Sequence, residues 1–230
     1  DMLYSPRSSN ISIARILRVE ADALGKEKNW DRLIEVLERI QSIDRLTVSE
    51  YNWLSQVFVF RERGDEAIEL LEEGREKYPD DVSIPYQNAK NLSSLKRYGE
   101  ALEAFRVLGE GISDPSSWFY YHYGVAADRS GDPEFAEKLL LKSIEEAGEN
   151  LKDAAASQNQ LGYMWLELGV RYEEAGKLII AANQAVDDSE AYIDSLGWYY
   201  FKIGDFSKAL IHLERARRVM EEKKNPEAVI

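Results

Sequence analysis

His122 and His212, the two histidines of this 230-residue chain, are the residues best suited by type to acid–base catalysis or metal ligation. Either task needs a convergent set. A zinc ion takes about four N, S or O ligands, and a general base needs its nucleophile and an orienting partner within hydrogen-bond reach. The chain has no cysteine, which removes disulfides, thiolate nucleophiles and Cys-ligated metals together. The two histidines lie 90 residues apart on separate helical stretches, and no partner set accompanies either. Gly109-Glu110-Gly111 lacks the following Gly and Lys of a phosphate-cradling loop. The pairs Glu72-Glu73 and Glu145-Glu146 read as exposed helix-end residues, and the sequons at Asn10 and Asn91 are too common a pattern to carry weight. The sequence therefore predicts no catalytic residue, no cofactor and no metal site, so not an enzyme.

The elements that would position any site are periodic. Between Glu190 and Val219, Leu196-Gly197 and Tyr200 lie in one helical stretch, and Ala209, Leu213 and Ala216 in the next. Ala209 opens the core stripe of its helix. Counting upstream, its equivalents are Ala175, Ala136, Ala101, Ala67 and Leu33, at steps of 34, 39, 35, 34 and 34 residues. A second small residue recurs in the preceding helix, at Gly124, Gly162 and Gly197, with Ala21, Val57 and Ala89 in the earlier copies. Small residues are expected where paired helices approach most closely, because overpacking costs roughly 1–3 kcal/mol. Gly64-Asp65, Gly131-Asp132-Pro133 and Gly204-Asp205 are predicted to end the first helix of a pair and cap the second. Tyr78-Pro79-Asp80-Asp81 reads as a stop between copies. Six copies follow, at about 14–47, 50–81, 82–115, 117–150, 155–187 and 190–223, after a lead-in at 1–13. The second is short by about two residues between Gly64 and Ala67, and 224–230 reads as a linker or the start of a further helix.

The spacing L-G-x2-Y, then A-x3-L-x2-A, resembles the tetratricopeptide repeat, over about nine-tenths of the chain. The resemblance implies an all-α, right-handed α-α superhelix, a solenoid of about six helix-turn-helix repeats, because such a repeat buries its apolar face only against copies of itself. It also implies that the first helices line a concave groove, with the second, fifth, ninth and twelfth positions of each repeat facing it. These positions include Tyr51, Phe58, Tyr86, Lys90, Trp118, Tyr121, Asn159, Tyr163, Trp198 and Phe201, the candidate peptide-binding residues. Eight of the 24 are aromatic, against 11% for the chain, so the stripe is enriched about threefold. Trp118, Tyr121, Phe58 and Tyr86 are expected to form one aromatic patch. A clamp for a terminal carboxylate needs Lys, Asn, Lys and Arg along consecutive repeats; here Lys90 and Asn159 stand two repeats apart. Tyr192-Ile193-Asp194-Ser195-Leu196-Gly197-Trp198 looks like a subset found mainly in bacterial members, many exported or envelope-associated. Asp194 and Trp198 then have two readings: groove ligands, or packing residues in which Asp194 bonds the neighbouring hairpin and Trp198 covers it.

The formal net charge is −13, of which residues 1–50 carry −1. Such a surface disfavours nucleic acid and anionic lipid, and favours neutral or basic protein segments. No apolar run approaches the ~18 residues of a membrane span, so direct membrane insertion is not expected. No basic-then-apolar leader pattern is read within these residues, a processed leader is compatible with a start at Asp1, and a cytoplasmic or a bacterial periplasmic or envelope setting both fit. The expected function is a scaffold that binds a peptide or protein segment in an aromatic-lined groove. The alternative is an assembly segment of a larger bacterial protein whose catalytic or anchoring parts lie elsewhere. Homo-oligomerisation through an open solenoid end is compatible with either.

Overall fold

The computed structural model of the chain describes residues 6–224, and these form twelve α-helices. They are α1 Pro6–Lys26, α2 Trp30–Ile43, α3 Val48–Phe60, α4 Gly64–Lys77, α5 Ser83–Ser94, α6 Tyr98–Gly111, α7 Ser117–Arg129, α8 Pro133–Ala147, α9 Leu151–Leu168, α10 Tyr172–Ala185, α11 Glu190–Lys202 and α12 Phe206–Lys224. Among the described residues there is no strand, so the chain is all-α as its periodicity predicted. It divides into two compact units, Asp1–Leu108 and Gly109–Ile230, with the division inside α6. Helix α1 begins at Pro6, inside the stretch read as a lead-in. Beyond Lys224, the segment read as a linker or further helix lies outside the described residues.

Each unit is a set of helical hairpins. Leu33, Ala67, Ala101, Ala136, Ala175 and Ala209 are all buried, at 0–3% exposure, so the small-residue register of the second helices holds throughout. In the first unit Tyr51, Leu54, Val57, Phe58, Leu70 and Leu71 share a core with Leu33, Val36 and Leu37. In the second, Ser143 of α8 stitches two hairpins: its hydroxyl lies 2.6 Å from that of Ser157 on α9 and donates to the Ser117 carbonyl of α7 at 2.7 Å.

The hairpin turns share one backbone design. The first helix closes with a bond from an N–H five residues on: Asn29 to Leu24 O, Arg63 to Phe58 O, Arg97 to Leu92 O, Asp132 to Ala127 O, Val170 to Trp165 O and Asp205 to Tyr200 O, at 2.8–3.0 Å. Each turn contains a left-handed residue, which lets the chain reverse within so few residues. Gly131, Gly169 and Gly204 fill that place at φ 88°, 72° and 84°. Lys28, Glu62 and Lys96 fill it elsewhere, at φ 57–61°, and the fifth turn adds a second left-handed residue, Arg171, at φ 50°. Gly131-Asp132-Pro133 therefore behaves as read, with Asp132 Oδ1 accepting from the Phe135 N–H at 3.0 Å.

Gly64-Asp65 does not. Gly64 is the first residue of α4, and Glu62 is the turn residue. Gly64 instead marks a close approach: a Cβ there would stand 2.4 Å from Leu95 Cδ2, at the end of α5, and that side chain would have to shift.

A non-glycine residue held left-handed costs roughly 1–2 kcal/mol, and glycine recovers this less about 0.5–1 kcal/mol of extra chain entropy. Lys96 is exposed, at φ 61°. Lys96→Gly is expected to stabilise the first unit by about 0.5 kcal/mol, a rise of about 1–4 °C in a thermal melt.

Candidate functional site: the faces of the first helices

The closing bonds of the turns align the six first helices independently of side chains. Leu24, Phe58, Leu92, Ala127, Trp165 and Tyr200 are equivalent. Phe58 is therefore the counterpart of Tyr200, a core position, and not of a groove position. Counting back twelve residues from Leu33, Ala101, Ala136 and Ala209 gives Ala21, Ala89, Gly124 and Gly197; from Ala67 it gives Ser55, not Val57. Ser55 is fully buried, as that position requires. The groove positions expected in the second copy thus run two residues late.

The correction removes two candidate residues from the groove. Tyr51 is 1% exposed; its ring meets Tyr78 edge-on at 6.2 Å and its hydroxyl donates to Glu73 Oε1 at 2.9 Å. Burial first, then the Glu73 bond, pushes that hydroxyl's pKa far up. Phe58 is 5% exposed, with the Arg63 guanidinium 4.1 Å from its ring centroid. The aromatic patch expected to include Phe58 cannot contain it. Glu73 is likewise no free helix-end carboxylate, because Gln41 Nε2 also donates to it at 2.9 Å. Asn91 is 3% exposed inside α5, where its Oδ1 accepts from Gln87, so the folded chain does not present that sequon.

Within each unit, hydrogen bonds tie neighbouring first helices at a spacing of 31–32 residues. In the first unit Arg18 of α1 donates to Glu50 Oε1 of α3 at 2.8 Å, and Asn52 of α3 donates to Ser83 Oγ of α5 at 3.1 Å. In the second, Gln160 of α9 donates to Asp128 Oδ2 of α7 at 2.8 Å, and Trp198 Nε1 of α11 donates to Glu167 Oε1 of α9 at 2.7 Å.

In the first unit the face of α5 carries Tyr86 and Lys90, both half-buried. Tyr86 meets Phe105 edge-on at 6.0 Å, and Lys90 Nζ lies 5.5 Å from the Tyr86 centroid while donating to Gln87 Oε1 at 3.1 Å. Burial lowers the Lys90 pKa and pushes the Tyr86 hydroxyl up to about 12. An unfolded tyrosine ionises near pH ~10. The Tyr86 contribution is therefore fully present below about pH 10 and is lost as pH rises through about 12. Urea unfolding at pH 9 and pH 11 is expected to show wild type losing on the order of 1 kcal/mol more than Tyr86→Phe over that interval.

In the second unit the faces of α7, α9 and α11 enclose a cleft of about 500 Å3 lined by Asp128, Arg129, Asn159, Gln160, Tyr163, Glu167 and Asp194, among others. Asn159 and Tyr163 both line it. Asn159 Oδ1 is buried without a hydrogen-bond partner among the described residues. Burial raises the Asp128 pKa, against the neighbouring Arg129 charge and the Gln160 bond. Trp118 is 43% exposed on α7, meeting the half-buried Tyr121 at 5.5 Å and 87°. On α11, Trp198 stacks on Phe201 at 5.1 Å and 14°, and Phe201 remains 46% exposed. Trp198 bridges to α9 through Glu167, whereas Asp194 is exposed on the cleft wall.

The sequence reading missed Gln160, Glu167 and Arg129, which occupy positions outside the four-per-repeat pattern. The signal that marks two of them is pairwise: an acid and a donor recur 31–32 residues apart at Asp128/Gln160 and Glu167/Trp198. His122 lies among rings, 6.0 Å from Trp118 and 4.9 Å from Tyr121, and His212 stacks on Tyr200 at 5.3 Å. Burial, then Arg215 and Lys208, lower the His212 pKa. Among the described residues no three His, Asp or Glu side chains gather as metal ligands would, and no helix is long and apolar enough to cross a membrane.

No protein-family model matches the chain. A TPR repeat-containing protein of Pseudomonas aeruginosa is 29% identical over 157 residues, which cover 67% of this chain and 25% of that protein. The chain thus spans about a quarter of that relative's length. A tetratricopeptide repeat protein from Parabacteroides merdae superposes with a TM-score of 0.67 at 15% identity, over 90% of this chain and 80% of its own. YrrB, described as a TPR protein with an unusual peptide-binding site, superposes with a TM-score of 0.52 at 17% identity, over 77% of this chain and 86% of its own. These likenesses establish the fold. It is the tetratricopeptide-repeat fold of paired helices.

Proposed function

We propose that the chain is a protein-binding module that holds a peptide or protein segment against the first-helix face of its second unit. The observation that carries this reading is the cleft between α7, α9 and α11, about 500 Å3 in volume, which lies within the range of ligand sites. Its walls combine a tyrosine ring, amides and carboxylates, so it offers an extended segment both apolar contact and hydrogen bonds. Trp118 and Phe201, each more than two-fifths exposed, extend apolar surface along α7 and α11. The net charge of −13 favours neutral or basic segments and disfavours nucleic acid. YrrB, of the same fold, carries a peptide-binding site.

The test is selection of peptides from a displayed random library on the immobilised chain, followed by affinity measurement on folded variants. Tyr163→Ala is expected to weaken the selected peptides about tenfold or more, and the double variant Trp118→Ala, Tyr121→Ala to weaken a subset. If every selected peptide binds both variants as it binds wild type, the functional surface is not this face.

The match to a quarter of the P. aeruginosa protein favours a second reading, an assembly segment of a larger bacterial protein with other activities elsewhere. An antibody against this chain, used on extracts of its source, tests it: a single band no larger than the chain ends that reading. Helix α12 also leaves Phe206, Leu210 and Ile211 about three-fifths exposed, a surface through which copies would self-associate. Sedimentation at increasing concentration measures that.

A further inference from the structure

We propose that the cleft of the second unit is a subsite for a lysine or arginine side chain of an extended segment, an inference that rests on the peptide-binding reading above. Three carboxylates line it, Asp128, Glu167 and Asp194, one from each of α7, α9 and α11. The opposing charge within the lining is Arg129. Glu167 is already shared between Trp198 Nε1 at 2.7 Å and Lys202 Nζ at 3.5 Å. Asp128 accepts from Gln160 and stays half-buried. Asp194 is exposed on the wall, and it is the carboxylate with room for an incoming cation.

Tyr163 reports the sign of the field. After burial, the causes that hold its hydroxyl protonated are Glu167 and Asp194, and the opposing effect of Arg129 is the weakest. The carboxylates therefore outweigh the guanidinium where the ring stands. A tyrosine face beside two carboxylates suits a basic side chain, because the apolar stem lies along the ring while the charged head meets oxygen. The tyrosine face and the carboxylates in one cleft favour a side chain with an apolar stem and a charged head over a free cation.

The experiment uses the whole chain and synthetic decapeptide pools in which one position is fixed as lysine, arginine, norleucine, citrulline or glutamate and the others are randomised. Binding is read by fluorescence polarisation, with wild type and Asp194→Asn, an exposed position, the fold of each being checked by circular dichroism. The lysine and arginine pools are expected to bind about tenfold more tightly than norleucine and citrulline. Asp194→Asn is expected to remove most of that preference, and added salt to narrow the gap. Pools that bind without preference for the cation, or a preference that survives Asp194→Asn, overturn the subsite and leave the peptide-binding reading standing. Absence of binding by every pool overturns both.

Discussion

Gly162→Val is expected to destabilise the second unit by about 3 kcal/mol and to lower its melting temperature by roughly 6–12 °C. A Cβ at this position would stand 2.8 Å from Ile179 Cγ1 and 2.9 Å from the Ala175 carbonyl oxygen. The isoleucine can change rotamer at modest cost. The carbonyl cannot move, because it belongs to the helical backbone of α10. Relief then requires α9 and α10 to part, which loosens the contacts of Leu161, Trp165 and Ile179, all now buried. Gly99→Ala is the control: nothing lies within 4 Å of a Cβ there, near the start of α6. That substitution is expected to be neutral or to stabilise by up to ~1 kcal/mol, since glycine is the poorer helix former. If the melting curve of Gly162→Val matches wild type, the two helices do not approach at this residue and the alignment of the fifth hairpin is wrong.

The period was legible in the sequence because contact geometry restricts residue size. Six positions against a facing helix admit only Ala or, once, Leu33, and all six are buried. Where a glycine also marked the turn, as at Gly131 and Gly204, boundary and register came out together. The second hairpin misled because its turn uses Glu62, while a conspicuous glycine two residues later serves the contact with Leu95. Reading Gly64 as the turn placed Val57 at the close approach and put Tyr51 and Phe58 on the groove. Their aromatic character supported that reading equally well, since a ring suits a core as it suits a binding face.

The candidate site was half legible for a related reason. A per-repeat pattern finds residues that share a direction, such as Tyr121, Asn159 and Asp194. It does not find residues that earn their place through a partner one repeat away. Gln160 matters through Asp128, and Glu167 through Trp198. Nothing in one repeat singles out Glu167 from the other exposed acids of a chain of net charge −13. Only the pairing across α9 and α11 does so.

Ala175→Trp and Ala209→Trp are expected to be the most disruptive substitutions at the small-residue positions, each costing about 3 kcal/mol or more. Their consequences differ in reach. Ala175 is fully buried at the α9–α10 contact, and α10 and α9 both pack on α11. Wedging that pair open therefore removes the platform on which the last hairpin rests. Ala209 is 3% exposed at the α11–α12 contact, and α12 packs chiefly on α11. Repeat stacks gain stability from nearest-neighbour contacts, so damage at a terminal pair stays local while damage at an interior pair spreads. Hydrogen exchange resolves the two. In Ala209→Trp, protection is expected to fall in α11 and α12 and to persist in α7 to α10. In Ala175→Trp, it is expected to fall from α9 through α12. Equal loss across the whole unit in both variants would show that its three hairpins unfold as one body, in which case occupation of the cleft between α7, α9 and α11 would stabilise all of them together.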